Sequence, residues 1–523
     1  MISRNSVVKN SFWFGLETIV DAFVSLALSI AAARVIGPVR LGYFIYTMFL
    51  VNLAGRLGAF GPGAAARKFL AEYLGREDRA TARTVFFIML RWHVQLGFLF
   101  AAAGWVLIFT LEDPLHRLVS SILVVSLLAA IINIVASQTN MAAENFARNV
   151  PASLISLAVY AATVILTLTL GWGVTGLAIA VMLRRTIEML MRLVPAVQWA
   201  RQLPVAPAPP QLTRQLLAFS GQGLAIAGLL LIVWDRSELV FLRHFCKIQE
   251  VTFYSVAFSV TEMLIMLPNV FGAAVTSKFM AIFGRPAGDV RPLVSSSCRY
   301  LAILIFPMYV GLAALSDPFI RVFYGHSYVP AIPVMALSLV LVMPKAFYWL
   351  PSSALQAADR QGLMFRWMLG VAALNVTLDA LLIPRFGAIG AALANGIAQP
   401  VAVIALCFVA ERVCGFKLPW AAMGGTLCTS LAMGAVVYFA GHYLPPAVTL
   451  FAGPVLGALV YVLLLRLSNA FNEEDLVFAR QFEERIPVRL RGACMTLLEW
   501  ITGASRFTPA SSLVASEANA RNS

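Results

Sequence analysis

Long apolar stretches dominate this chain and restrict the folds that it can adopt. About fourteen segments of roughly 20 predominantly apolar residues follow one another between residues 11 and 467. Only 12% of the 523 residues are charged, against about a quarter in a soluble domain. Hydrocarbon offers no hydrogen-bonding partner, so such segments must satisfy their own backbone groups by forming helices. The sequence therefore predicts an all-α polytopic membrane protein with about 14 transmembrane helices.

An internal duplication indicates how these helices are grouped. The stretches Leu111–Arg117 and Leu315–Arg321 share Leu, Asp, Pro and Arg in register. Three weaker matches keep the same order along the chain, among them Gly173–Ala178 with Gly387–Ala392, and the four offsets lie between 204 and 215 residues. Each repeat holds six apolar segments, an even number, so both copies have the same orientation. The pattern predicts two six-helix bundles related by pseudo-two-fold symmetry plus two C-terminal helices, an arrangement typical of transporters.

The predicted domain boundaries follow from this duplication and from shifts in composition. A proline-rich run at 204–210 is expected to be extended and semi-rigid, which suits two bundles that move against each other. The Ser- and Ala-rich C-terminus is expected to be partly disordered. The predicted parts are an N-terminal six-helix bundle (1–194), a Pro-rich cytoplasmic linker (195–213), a C-terminal six-helix bundle (214–410), two extra helices (411–467) and a cytoplasmic tail (468–523).

Positive charge is distributed unequally between the two membrane faces. With the N-terminus placed in the cytoplasm, 28 of the 39 Lys and Arg residues fall on the cytoplasmic side. This count assigns Arg184, Arg185 and Arg192 to the loop that follows the sixth span. Both termini are therefore predicted to be cytoplasmic. The net charge of +14 reflects this topology, so the expected partners are anionic membrane lipids and no nucleic acid.

Ionisable residues inside the spans are the candidates for function, because they are costly there and favour cavities or ion pairs. The predicted coupling or charge-tuning acids are Glu17 and Asp21, one helical turn apart, and Asp235 in an interrupted seventh span. Glu17 and Arg56 come to similar depths, so a pair that only fastens two helices is an open alternative to substrate binding. The candidate cations are Arg56, Arg91, Arg236 and Lys345, with Arg34 at the outer end of the first span.

The sequence offers little support for catalysis. No set of residues matches a nucleophile triad, a metal site or a phosphate loop, and the His residues are few and isolated. The six Cys residues are scattered through or beside apolar segments and form no redox or metal-like pair. We therefore expect no enzyme activity, no cofactor and no metal.

The motif at residues 33–43, Ala-Arg-Val-Ile-Gly-Pro-Val-Arg-Leu-Gly-Tyr, resembles the signature of bacterial polysaccharide (oligosaccharide) flippases. These belong to the multidrug/oligosaccharidyl-lipid/polysaccharide (MOP) exporter superfamily. The resemblance continues at residues 67–71, 234–235, 355–360 and 383–394, and it covers nearly all of residues 1–467. Leu41 departs from the family pattern, which usually has an aromatic residue there.

The resemblance implies a flippase that moves an undecaprenyl-diphosphate-linked oligosaccharide across the bacterial inner membrane by alternating access, for surface polysaccharide biosynthesis. It also implies a polysaccharide polymerase and a chain-length regulator as partners. A diphosphate crossing hydrocarbon needs a cationic, water-filled path, which the candidate cations fit. Two alternatives remain: an exporter of a small soluble compound, of MOP or major-facilitator type, and a membrane polymerase or glycosyltransferase. The latter would need a sizeable outer loop, and every outer loop here is short.

Overall fold

The structure is a computed structural model that describes residues 4–143, 149–205, 207, 209–234, 236–285 and 289–468. Asp235 and most of the predicted tail, from residue 469, lie outside these residues. Every element in the described part is helical, which confirms the all-α prediction. The α-helices are α1 (Arg4–Ile36), α2 (Pro38–Gly75), α3 (Arg79–Leu111), α4 (Pro114–Ala142), α5 (Asn149–Thr169), α6 (Gly173–Gln202), α7 (Leu212–Trp234), α8 (Glu238–Phe245), α9 (Ile248–Phe283), α10 (Arg291–Ala314), α11 (Ser316–Phe319), α12 (Ala331–Val342), α13 (Trp349–Ala357), α14 (Gln361–Cys414), α15 (Trp420–Gly441) and α16 (Pro446–Leu467).

The chain is a multi-pass membrane protein, although the predicted number of spans is not confirmed. In the described residues, ten helices are long and apolar enough to cross a membrane, or up to eleven with the bent pair Pro38–Ala59 and Gly61–Gly75. The 54-residue helix α14 counts once, yet it contains two of the segments predicted to span. These segments meet at Gly387, where φ is +56° and the helix kinks. The helix α6 is not among the ten, and it carries four charged side chains in its middle.

The structure divides into two compact units. The larger unit comprises residues 1–274 and 320–413. In its first part, α4 packs against α2, α3 and α6, because Leu123, Leu127 and Ile131 present one buried apolar face at helical spacing. Helix α2 also packs closely against α7, where Gly61 meets the backbone of Ser220 with no room for a side chain.

The smaller unit comprises residues 275–319 and, within the described chain, 414–468. Helix α15 packs against both α10 and α16 around a small apolar core of Met433, Tyr461 and Leu465. Gly434 lies directly against Val310, and the Tyr461 hydroxyl donates a hydrogen bond to the carbonyl of Ile303 over 2.9 Å. The two predicted extra helices therefore exist as α15 and α16.

The segment between α6 and α7, residues 203–211, is shorter than the predicted linker at 195–213. Helix α6 continues through Pro195 to Gln202, and α7 begins at Leu212. The C-terminal end of α6 is capped by Arg83 of α3, which donates to the carbonyls of Arg201 and Leu203 over 2.9 and 2.7 Å. This cap satisfies carbonyl groups that a helix end otherwise leaves without a partner.

Candidate functional site

Helices α1 and α6 are joined by an ion pair within the span. The Asp21 carboxylate bonds the Arg184 guanidinium, and these side chains are 40% and 24% exposed. The Arg184 guanidinium also lies 5.4 Å from the centre of the Tyr160 ring on α5. We call the side at which α1 ends at Ile36 the outer end. At 1.5 Å per residue, Asp21 and Arg184 lie about 22 Å and about 17 Å from the outer ends of their helices.

The next side chain on α6 turns towards other helices. Arg185 donates to the Asn52 side-chain oxygen on α2 over 2.5 Å and to the Ser126 hydroxyl on α4 over 3.0 Å. Both partners are neutral. Two other arginines on this helix do meet carboxylates: Arg184 bonds Asp21, and further from the outer end Arg192 pairs with Glu188 over 2.5 Å.

A second polar group lies about two turns further from the outer end. Arg192 donates to the Ser153 hydroxyl over 2.5 Å and to the Asn149 carbonyl over 3.3 Å. Glu17 of α1 bonds Ser153 and lies near the charge of Arg192, while its Oε2 atom is buried without a hydrogen-bond partner. The pairing of Glu17 with Arg56 stays a hypothesis, because Glu17 bonds Ser153 of α5 and lies near Arg192 of α6.

The predicted cations Arg56 and Arg91 occupy different settings. Arg56 is exposed and follows Asn52 by one turn of α2, so it is on the same helix face as the amide that Arg185 binds. Arg91 is exposed on α3, and seven-residue steps place it on one stripe with the exposed side chains Phe98 and Trp105. Such a stripe is suited to lipid, so the structure does not bring Arg91 to the other charges.

Arg34 takes part in a close packing of helix ends on the outer side. Its guanidinium donates to the carbonyl of Val322, in the turn at 320–324 that follows α11. The Tyr328 hydroxyl donates to the Ala33 carbonyl over 2.9 Å, and the Thr252 hydroxyl donates to the Pro38 carbonyl over 2.7 Å. In this conformation the outer ends of α1 and α2 are thus bound to segments of the second repeat.

Lys345 and Arg236 lie together on the second repeat. Lys345 pairs with Glu262 of α9 over 2.7 Å, and the two side chains are 12% and 36% exposed. Arg236 donates to the Ser259 hydroxyl over 3.1 Å. The centre of the Phe258 ring lies near both cations, 4.6 Å from the Arg236 guanidinium and 6.0 Å from the Lys345 ammonium. The helix tightens to a 3-10 turn at 343–347, beside Pro344, where Lys345 is located.

A separate group of buried polar side chains lies between α8, α9 and α14. Glu238 and Asp379 are fully buried and close enough to interact electrostatically. The Asn395 amide donates to the Glu238 carboxylate over 2.8 Å and to the Tyr254 hydroxyl over 2.9 Å. Both carboxylate oxygens of Asp379 and Oε2 of Glu238 are buried without a hydrogen-bond partner. Within the described residues, no group of three or more His, Cys, Asp or Glu is arranged to hold a metal ion.

Sequence reasoning missed several of these residues. Glu262 and Asp379 are acids inside predicted spans, and the criterion that selected Glu17 and Asp21 would have found them. Arg184 and Arg185 were assigned to a cytoplasmic loop because the charge count treated them as topology signals. The structure places both in the middle of α6 instead.

A family model described as "Polysaccharide biosynthesis protein" matches residues 8–333. The chain belongs to the polysaccharide biosynthesis protein family. Two similar proteins come from Haloferax volcanii, "Probable low-salt glycan biosynthesis flippase Agl15" (23% identical) and "Probable flippase AglR" (26% identical). The matches cover 35% and 45% of this chain and only 40% and 51% of those relatives. Their names agree with the prediction that this family member is not an enzyme.

Solved structures show the same fold. "Lipid II flippase MurJ, inward closed conformation" matches with a TM-score of 0.71 and 16% identity, over 86% of this chain and 97% of that one. A "multidrug resistance MATE family transporter of the MOP superfamily", in an inward-facing conformation, matches with a TM-score of 0.62 and 18% identity, over 76% of this chain and 94% of that one. These likenesses confirm the predicted MOP-type fold.

Proposed function

We propose that this protein is a flippase that moves an undecaprenyl-diphosphate-linked oligosaccharide across the bacterial inner membrane by alternating access. The observation that carries the proposal is that each repeat holds a partly exposed ion pair inside its helices. The first repeat has Asp21 with Arg184, and the second has Glu262 with Lys345. Charges at this depth are costly against lipid, so their exposed surface fits a water-filled path. Arg236, Lys345 and Arg56 are the cations that we assign to this path, with Arg34 at its outer end.

The positive charges of these side chains suit an anionic substrate better than a neutral or cationic solute. A diphosphate carries negative charge that must remain solvated while the lipid tail stays in the bilayer. Arginine offers a planar fork for phosphate oxygens, and lysine offers a compact positive charge. The ring of Phe258 packs near both Arg236 and Lys345 and helps to hold the two cations in position. We do not assign Arg91, since its helix face is apolar and exposed.

The buried cluster around Glu238 and Asp379 is the second part of the proposal. Two adjacent buried carboxyl groups are unfavourable unless they share a proton or bind a cation. We assign this cluster to coupling by H⁺ or Na⁺, with Asn395 holding Glu238 in place. Glu17, Asp21 and Asp235 keep their proposed roles of coupling or tuning the cations. In the cell, a polysaccharide polymerase and a chain-length regulator are the proposed partners.

The test is a flipping assay with the purified full-length protein in liposomes. A fluorescent undecaprenyl-diphosphate-linked oligosaccharide is incorporated, and the fraction reached by a membrane-impermeant quencher is followed over time. The wild type should increase the quenched fraction, whereas Arg56→Ala should slow it at least about tenfold because one charge-assisted phosphate contact is lost. Arg91→Gln is the matched control and should flip at the wild-type rate.

Two results would contradict this proposal. Wild-type liposomes that leave the lipid-linked oligosaccharide in its original leaflet, with folded protein present, would exclude the flippase function. Transport of a soluble cationic dye by the same liposomes, together with no flipping, would favour the exporter that the fold likeness to the multidrug transporter keeps open.

A further inference from the structure

Arg184 and Arg185 are adjacent on α6, and neither is among the cations assigned to the substrate path above. Arg185 lies inside the helical bundle, and its hydrogen-bond partners in the described chain are the neutral groups of Asn52 and Ser126. Arg184 is the charge that acts most strongly on it, and Glu188 follows. Glu188, however, is already bonded to Arg192. Two adjacent cations lie inside a span, and one of them is hydrogen-bonded to neutral groups. This arrangement indicates an anion-binding site.

The other arginine of this pair already binds an anion, supplied by the protein itself. Asp21 bonds Arg184, and the carboxylate remains 40% exposed while the guanidinium is 24% exposed. The contact is therefore open at one side, unlike the buried pair of Glu238 and Asp379. An exposed carboxylate on a cation can be replaced by another anion that binds the cation better. A doubly charged phosphate group that also reaches Arg185 would have this advantage.

We propose that Arg184 and Arg185 form a diphosphate-binding site and that Asp21 occupies it while no substrate is bound. Consecutive positions on a helix point about 100° apart, so one arginine lies towards α1 and the other towards α2. A ligand between α1 and α2 can thus meet one guanidinium with each of its two phosphate groups. The ring of Tyr160 packs against Arg184 and keeps it in position while the anions exchange.

This site rests on the proposed function, since a lipid-linked diphosphate is its intended ligand. The same chemistry also exists in soluble diphosphates, and the two sources are separated by the choice of probe. Three probes are suitable for equilibrium binding to the purified full-length protein: farnesyl diphosphate, farnesyl monophosphate and inorganic pyrophosphate. Farnesyl diphosphate should bind most tightly. Equal affinity for farnesyl monophosphate would overturn a site for two phosphate groups, and equal affinity for pyrophosphate would overturn a lipid as its ligand.

Asp21→Asn is the most informative variant, because it removes the competing anion and keeps the side-chain shape. We expect it to bind farnesyl diphosphate about fivefold more tightly, while Arg185→Gln should bind about tenfold more weakly. If the Asp21 carboxylate only fastens α1 to α6, Asp21→Asn should bind farnesyl diphosphate no more tightly than the wild type does. That outcome with folded protein would overturn the proposal. Arg91→Gln, on the exposed face of α3, should bind as the wild type does.

A second variant keeps the test decisive if Asp21→Asn does not fold. Asn52→Asp is isosteric and places a carboxylate on Arg185 at the position of the present 2.5 Å contact. It should raise the thermal unfolding temperature while weakening farnesyl diphosphate binding about tenfold. Unchanged binding would overturn the site. Flipping by the wild type, with unchanged binding in Arg185→Gln and Asn52→Asp, would remove this site alone. The expected order of binding without flipping would remove the flippase function alone.

Discussion

Lys345 and Glu262 show how a single ion pair can either fasten helices or hold a substrate. Their 2.7 Å contact is partly exposed on the Glu262 side, so Lys345 is accessible from one direction. If Lys345 binds the substrate, Lys345→Gln and the double variant Glu262→Gln/Lys345→Gln should both flip slowly, by at least about tenfold, because the positive charge is absent from each. Flipping rate and protein yield are measured together. Full recovery of both in the double variant would instead show that the pair only joins two segments.

For the buried acids Glu238 and Asp379, we expect a substitution to raise stability while it removes coupling. Glu238 and Asp379 are adjacent buried carboxyl groups, and neither oxygen of Asp379 has a hydrogen-bond partner. The substitution Asp379→Asn removes one of the two acids. Asp379→Asn should therefore raise the thermal unfolding temperature and abolish the dependence of flipping on a proton or sodium gradient. The measurement compares flipping with and without each gradient, with Thr377→Val, an exposed position on the same helix, as the control. A gradient response unchanged from the wild type would remove the coupling role.

At the scale of helices, α2 and α9 pack closely at their outer ends, and we expect this contact to control closure of the outer side. Gly42 lies so near α9 that an added methyl carbon would sit 2.5 Å from the Ile248 carbonyl and 2.8 Å from the Thr252 hydroxyl. Gly42→Val should hold the two helices apart at their outer ends. Gly370→Val in α14 is the matched control, because nothing lies within 4 Å of that position.

The consequence can be measured by chemical labelling. In a background without reactive cysteines, Ala33→Cys should react slowly with a membrane-impermeant maleimide, since Ala33 is buried. Adding Gly42→Val should speed this reaction about tenfold and slow flipping, because alternating access needs the closed state to form. Equal labelling with Gly42→Val and Gly370→Val would show that this contact does not control the outer opening.

The sequence predicted most helices but not which of their charges meet. Apolar runs of spanning length mark most of the long helices. Gly387 marks the boundary between two predicted spans, where only glycine readily adopts φ of +56°. The Asp21–Arg184 pair joins residues 163 positions apart, which no spacing rule detects. Counting positive charges by loop also moved Arg184 out of its helix, because three arginines near one end read as a cytoplasmic boundary.

At the scale of the whole chain, membrane location and family are established, while the symmetry and orientation stay predictions. The duplicated motifs at Leu111–Arg117 and Leu315–Arg321 fall at the junction of α3 with α4 and of α10 with the segment that follows it, which agrees with corresponding positions in two repeats. The structure divides differently, into residues 1–274 with 320–413 and the remainder. The grouping into bundles at 1–194 and 214–410 therefore needs a test other than packing.

The membrane orientation can be tested directly with reporter fusions. With 28 of 39 Lys and Arg on one side, the positive-inside rule places both termini in the cytoplasm, and moving Arg184, Arg185 and Arg192 into α6 still leaves that side far more basic. A reporter that is active only in the periplasm should be silent when fused after Leu467, at the end of α16, and active when inserted after Gly171, between α5 and α6. Activity of the fusion after Leu467 would reverse the orientation. It would then place Arg34 and the closed helix ends on the cytoplasmic side, so the conformation seen here would face outwards.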